Sequence, residues 1–283
     1  VSGRARRPGR TVRTRVTEHL VDGSTRRHED RLATEEPLEV RLAWPGALAR
    51  RAWVTMRTPG HDFELAAGWV VHEGLVPPGE LRDALAGVAY CTDVDLAPEQ
   101  EFNVVTVTLA APPARDPGHR HTGQSSGSSA CGVCGKDSVE EALAVPTSAS
   151  ERWAGPLPTP EVVRLLPDRL APGQQVFGTT GGVHAAALAT ADGEVLVVRE
   201  DVGRHNAVDK VTGARLLAGD PVAGACLVVS GRAGFELVQK ALAAGTGSLV
   251  AVGAPTSLAV DLARRGGLAL YGFTRGGRTV QYA

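Results

Sequence analysis

The chain has 283 residues, an apolar fraction of 43% and a formal net charge of −1. That length can bury one large core or two modest ones, while the near-zero charge supplies no basic field of the kind that gathers nucleic acid. No stretch reaches the roughly 18 uninterrupted apolar residues of a membrane span, and four cysteines in such a length do not make a disulfide scaffold.

Val1 to Arg15 is basic but lacks an apolar core of its own, so it does not read as a secretory signal. Residues 1–35 read as a disordered basic tail, and structure is expected from Glu36. Leu38–Leu42 and Trp53–Arg57 read as strands joined by a turn at Pro45-Gly46. Thr58-Pro59-Gly60 ends the second strand, and Asp62 reads as the N-cap of a helix over Phe63–Glu73 with Leu65, Ala66, Trp69 and Val70 inward. A shorter helix is expected at Leu81–Ala86, stopped by Gly87, then a strand over Asn103–Leu109. Residues 36–110 thus form an N-terminal α+β part.

Residues 111–136 have the composition of a flexible loop, nearly pure Gly, Ser and Gln from Gly123 to Ser129. They end in Cys131-Gly132-Val133-Cys134-Gly135-Lys136, with a helix expected at Asp137–Leu143 and a linker from Pro146 to Pro160. Residues 137–283 read as one α/β unit. It has a helix near Pro160–Leu166, a hairpin of Val183–Thr190 and Glu194–Arg199, and a helix at Ala207–Leu217. Strands at Cys226–Ser230, Leu249–Val252 and Leu268–Phe273 then alternate with helices at Phe235–Ala244 and Ser257–Arg264. Strands separated by helices need crossovers and are expected to run parallel. The order matches a cytidine-deaminase-like three-layer fold with a mixed sheet, an analogy that gives no activity.

Cys131 and Cys134 are the first chemical candidates. A thiol reacts as thiolate, and Lys136 with the amides of a following helix would favour that form. A structural zinc site needs four ligands and this pair supplies two; His119 and His121 are near but lie on a Gly/Ser loop. A thioredoxin-like disulfide would sit between a strand and a long helix. An incidental pair is the remaining reading. Cys91 and Cys226 lie in apolar, strand-like surroundings and read as reduced core residues.

Ligand-binding candidates fall where strands end. Arg199 to Lys210 concentrates Asp201, Arg204, His205, Asn206 and Asp209 between a strand and a helix, where open α/β sheets bind ligands. Thr180-Gly181-Gly182, with His184 beyond, is a Gly-rich turn whose amides can approach a ligand. Ser230-Gly231-Arg232 precedes a helix and offers an anion amides and one guanidinium. Ala254-Pro255-Thr256-Ser257 caps the next helix. Phe273-Thr274-Arg275-Gly276-Gly277-Arg278 follows the last expected strand and suits a phosphate clamp. A zinc deaminase would need H-x-E and P-C-x-x-C at the two helix starts; Gly203-Arg204-His205 and Ser230-Gly231-Arg232 stand there instead. No metal site is expected.

In these motifs together, from about Glu36 to the C-terminus, the sequence resembles the formate dehydrogenase accessory sulfurtransferase family (FdhD/NarQ). The lack of a secretory signal and of a disulfide scaffold places the protein in the cytoplasm, and the resemblance implies a homodimer that takes persulfide sulfur from a cysteine desulfurase. It passes the sulfur to the molybdenum (or tungsten) bis-molybdopterin guanine dinucleotide, a bound substrate, to activate formate dehydrogenase. Cys131 would carry the persulfide, with Cys134 as partner or alternate carrier, and Phe273 to Arg278 would touch the cofactor. No membrane, nucleic acid or catalytic metal of its own is implied. The alternative is a cofactor chaperone or insertase without sulfur transfer.

Overall fold

A computed structural model describes residues 7–76, 80–81, 83–91, 97, 101–115, 144 and 152–283. Cys131, Cys134 and the helix expected at Asp137–Leu143 lie outside the described residues.

The chain opens with β1 (Thr11–His19) and β2 (Thr25–Ala33), a two-stranded antiparallel ribbon. The expectation of a disordered tail over residues 1–35 is therefore corrected for 11–33. Its composition is charged, but Val12 pairs with Leu32 and Asp22 closes the turn by accepting hydrogen bonds from the Ser24 amide and hydroxyl. Charge density hid a hairpin whose pairing is local.

A four-stranded sheet follows, in the order β4 (Ala47–Arg57), β3 (Glu36–Trp44), β6 (Val104–Leu109), β5 (Leu85–Tyr90). Leu38, Val40 and Leu42 alternate toward helix α1 (Asp62–His72), which buries Leu65, Ala66, Trp69 and Val70 against them. Trp53 stacks on Trp69 with centroids 5.2 Å apart. The helix expected at Leu81–Ala86 is absent: β5 begins at Leu85 and pairs with β6. Val88 and Tyr90, two apart, turn toward the α1 side, and this period-2 burial overrides the helical reading. Asp62 is the first helical residue and not the cap. Its carboxylate holds the fully buried Arg57, while His61 takes the cap position in the left-handed region.

The second core is built on a six-stranded mixed sheet, in the order β12 (Arg278–Gln281), β11 (Ala269–Arg275), β10 (Ser248–Ala251), β9 (Cys226–Val229), β7 (His184–Ala189), β8 (Val195–Asp201). β9, β10 and β11 are parallel because helices α5 (Phe235–Ala243) and α6 (Ser257–Gly266) form their crossovers. Alternation gives the sheet two apolar faces. Ala186, Leu188, Leu227 and Val229 face α4 (Arg204–Leu217), α5 and α6. Ala185, Ala187, Cys226 and Val228 face α2 (Pro160–Leu170). The result is a three-layer α/β/α unit. A short helix, α3 (Gln175–Thr180), and strand β12 are additions to the expected elements.

The two cores meet where α1 lies on α4 with backbones nearly touching. A Cβ on Gly68 would fall 1.8 Å from the Asp209 carbonyl oxygen, and one on Gly213 would fall 1.8 Å from that of Glu64. Only glycine fits either position.

Candidate functional site

Strand direction decides where the motifs fall. β7 runs antiparallel to both β8 and β9, so the start of β7 lies beside the ends of β8 and β9. The parallel β10 and β11 end at the same edge. Thr180-Gly181-Gly182, Arg204-His205, Ser230-Gly231-Arg232, Ala254-Pro255-Thr256 and Phe273 onward are therefore brought to one edge of one sheet.

Backbone hydrogen bonds stitch these loops in a row. Ser230 and Ala185 are joined twice, by the Ser230 amide to the Ala185 carbonyl and by the Ala185 amide to Ser230 Oγ, each at 2.9 Å. The Gly253 amide donates to Gly231 at 2.9 Å, Thr256 donates to Ala233 at 3.1 Å, and Phe273 donates to Gly253 at 3.0 Å. A Cβ on Gly231 would sit 3.4 Å from His184 Nδ1, so this glycine lies under the His184 ring. Burial, with the charges of Arg204 and His205, pushes the His184 imidazole below its ordinary range and favours its neutral form.

Arg204 and Arg232 make no hydrogen bond or ion pair among the described residues. Both are free guanidiniums at this edge. His205 Nε2 lies 2.5 Å from Glu236 Oε2, a close contact without hydrogen-bond alignment. One turn further along the same two helices, Lys240 Nζ meets Asp209 Oδ1 at 2.6 Å.

Other polar residues of the Arg199–Lys210 motif turn inward. Asp201 accepts from the Gly203 amide at 2.8 Å, Asn206 Nδ2 at 3.1 Å and the Thr58 amide at 3.1 Å, and pairs with Lys210 Nζ at 2.6 Å. Burial pushes the Asp201 carboxyl up, while Lys210 and the amides pull it back. Lys210 also donates to the Thr58 carbonyl at 2.8 Å, and the Thr58 hydroxyl accepts from the Val202 amide. Asp201 and Lys210 thus bolt the Thr58–Gly60 turn onto the end of β8. Asp209 is equally buried, held by Lys240 and by His72 Nδ1 at 2.5 Å. Burial alone would raise the Asp209 carboxyl, but Lys240 and His72 more than offset it and hold it below the usual range.

The motif at Phe273–Arg278 is a hairpin tip. Gly276 and Gly277, at φ 57° and 78°, make the two-residue turn between β11 and β12, and Arg275 pairs with Arg278 across it. Phe273 has a left-handed backbone at φ 51°, a strained position for a bulky residue, and its ring is partly exposed beneath the Arg278 guanidinium at 5.5 Å. Thr274 is fully buried, its hydroxyl 2.9 Å from that of Thr279, so its side chain turns away from the edge that Phe273 and Arg278 present.

Sequence reasoning missed Arg10 and His61 at the edge and gave Glu200, inside the Arg199–Lys210 motif, no role of its own. Arg10, assigned to a disordered tail, reaches Glu200 at 3.3 Å. Glu200 caps α3 from a distance, accepting from the Val176 and Phe177 amides at 2.9 and 2.8 Å. His61 stands at φ 58° with a buried Nδ1 that has no partner, its imidazole pushed down to about 4 by burial. The Pro59-Gly60 break before a helix was the available signal for the last. A cleft of about 180 Å³ beside Trp153, Leu157 and Gly247 lies at the opposite edge and includes none of these residues.

Three comparisons bear on what this edge serves. The FdhD/NarQ family model matches residues 33–283. A protein of Streptomyces coelicolor named sulfur carrier protein FdhD is 47% identical over 279 residues, covering 97% of this chain and 95% of that protein. A protein of the same name from Mycobacterium tuberculosis is 42% identical, covering 93% of each chain. A solved structure from Desulfotalea psychrophila, provisionally described as a formate dehydrogenase accessory protein, superposes with a TM-score of 0.71. It covers 97% of each chain at 20% identity, which is a likeness of fold.

Proposed function

The chain belongs to the FdhD/NarQ family, and on that premise we propose that it is a sulfur carrier. Its donor is a cysteine desulfurase, and its acceptor is the molybdenum (or tungsten) bis-molybdopterin guanine dinucleotide of formate dehydrogenase. It works as a cytoplasmic homodimer. The observation that carries the reading is 47% identity along nearly the whole chain to a protein named as a sulfur carrier, joined to the Cys131-Gly132-Val133-Cys134 segment of this sequence.

Loading begins when the Cys131 thiolate attacks the outer sulfur of the donor's cysteine persulfide. One S–S bond forms on Cys131, the donor's S–S bond breaks, and the electron pair leaves on the donor's thiolate, so no net oxidation occurs. Delivery uses the second thiol. Cys134 attacks Cys131 Sγ, a disulfide forms between them, and the terminal sulfur leaves as hydrosulfide, reduced by the two thiols, for capture by the metal. A dithiol reductant then resets the pair.

The sheet edge suits the acceptor. Its dinucleotide carries phosphates and guanine bases. Arg204 and Arg232 are unpaired cations for the phosphates, and the amides of Gly231, Arg232 and Gly234 lead into the start of α5. Phe273 with Arg278 offers a ring face for a base. Thr180, Gly181 and Gly182 let backbone approach from the β7 side. Asp201 and Lys210 hold this shelf and do not touch its cargo.

The test is persulfide mass-tagging after incubation with a desulfurase, on the wild type and on Cys131→Ala and Cys134→Ala. A gain of roughly 32 Da per transferred sulfur is expected on Cys131 and lost in Cys131→Ala. In Cys134→Ala the persulfide should load and stay. No tagged species on either cysteine would overturn sulfur transfer and leave a cofactor chaperone or insertase as the reading.

A further inference from the structure

The β1–β2 ribbon has two unlike faces. The register pairs Arg13 with Arg31, Arg15 with Glu29 and Thr17 with Arg27, placing four arginines and one glutamate on one face. The other face carries Val12, Leu32, Val16, His28, Glu18 and Arg26, with Glu18 bonded to Arg26. Every charged side chain of the arginine face is exposed, and Arg13 reaches Glu29 only at 3.7 Å. Arg15, Arg27 and Arg31 have no ion pair among the described residues, and Arg13 directly faces Arg31. Like charges set opposite each other cost stability. A lone two-stranded ribbon is marginal by itself. Here the cost is carried on an exposed ribbon.

The ribbon is rooted at the candidate site. Arg10, just before β1, holds Glu200 at the end of β8. Ala33, at the end of β2, packs beside Gly182 before β7. A body seated on the arginine face therefore stands next to the loop-bearing edge. Nine residues of strand span about 30 Å, too long and too open for one small anion but suited to a protein surface.

We propose that this arginine face is the docking surface for an acidic surface of the sulfur-donating protein. The inference rests on the sulfur-carrier reading above. Each delivered sulfur needs a fresh encounter, and a patch of unpaired cations raises the rate of such encounters.

The test uses the full chain and a quadruple variant, R13Q/R15Q/R27Q/R31Q. Persulfide loading is timed from a cysteine desulfurase and, separately, from cysteine hydropersulfide, at low and high ionic strength. At low ionic strength the variant should load from the desulfurase about tenfold more slowly or worse and lose the salt dependence of the wild type. Loading from the small donor should be unchanged, as should all rates in R26Q on the other face. Equal desulfurase rates in wild type and variant, or an unchanged salt dependence, would overturn the proposal. If the wild type takes sulfur from neither donor, the sulfur-carrier reading has failed, and the ribbon is judged by desulfurase binding alone. There, equal affinities of wild type and variant overturn it. Tighter ribbon-dependent binding of a DNA duplex than of the desulfurase would also overturn it, in favour of nucleic acid.

Discussion

Gly213→Ala tests the joint between the two cores. A methyl at this position would start 1.8 Å from the Glu64 carbonyl oxygen and 2.6 Å from its carbon. Ordinary carbon–oxygen contact lies near 3.3 Å, so α1 and α4 would have to part by about 1.5 Å. The obstacle is helix backbone, which cannot swing aside as a side chain would. Overpacking of this kind costs about 1–3 kcal/mol. Parting the helices also stretches bonds across the joint: His72 to Asp209 at 2.5 Å and Lys210 to the Thr58 carbonyl at 2.8 Å. These are worth on the order of 1 kcal/mol each, and more where a charge is involved. The expected loss is about 4 kcal/mol, or a fall in Tm on the order of 10 °C, read by calorimetry. Gly178→Ala is the control, because no atom lies within 4 Å of its added Cβ and it sits inside α3. It should leave Tm unchanged or slightly higher. A loss below about 1 kcal/mol in Gly213→Ala would refute the claim that the backbones are in contact.

Three further outcomes are expected. His61→Gly removes a left-handed non-glycine residue and should stabilise the protein by about 1 kcal/mol in urea melts. It should also weaken the pH dependence: the His61 imidazole sits at about 4 when folded against 6.5 ordinarily. The unfolded chain therefore binds the proton first, and stability falls as pH drops from 6.5 toward 4. His72 and His184 are shifted the same way, so the slope should shrink and not vanish; an unchanged slope would refute this. Lys210→Met leaves the buried Asp201 carboxylate without its cation and should cost about 3–5 kcal/mol by chemical denaturation, with a loss under about 1 kcal/mol counting against the ion pair. Arg204→Gln with Arg232→Gln should weaken GDP binding at least tenfold, roughly one lost charged hydrogen bond, and unchanged calorimetric affinity would remove them from the phosphate site.

The sequence was most legible where burial follows a simple period. Ala185 to Ala189 and Cys226 to Val229 alternate between two helical layers, and the sequence reads both as strands. Leu81–Ala86 misled because Leu81, Ala84 and Leu85 are spaced like one face of a short helix stopped by Gly87, and pairing of Leu85–Tyr90 with β6 decided otherwise. Residues 11–33 misled because charge and disorder usually travel together, whereas here cross-strand pairing organises the charges into faces. The Arg199–Lys210 motif was legible as a cluster but not as a division of labour. Spacing cannot tell that Asp201, Asn206, Asp209 and Lys210 point inward while Arg204 stays unpaired, since that depends on Thr58, Met56 and Lys240, all distant in sequence.

That division explains why the edge needs both cores. The loops that could hold a phosphate-bearing cargo belong to the six-stranded sheet, but the end of β8 is fixed from outside it. Thr58 gives its amide to Asp201, its carbonyl to Lys210 and its hydroxyl to Val202. The strand that carries Thr58 to this point is anchored by Arg57, fully buried against Asp62, Asn103 and the Phe102 carbonyl. A buried guanidinium with this many partners has one place to sit, so the four-stranded sheet sets where Thr58 presents its three groups. Arg204 and His205 follow Asp201 by three and four residues, at the first turn of α4, and inherit that position. The N-terminal core therefore acts as the clamp on the cationic end of the shelf, and a change at Arg57 should disturb Arg204 without touching it.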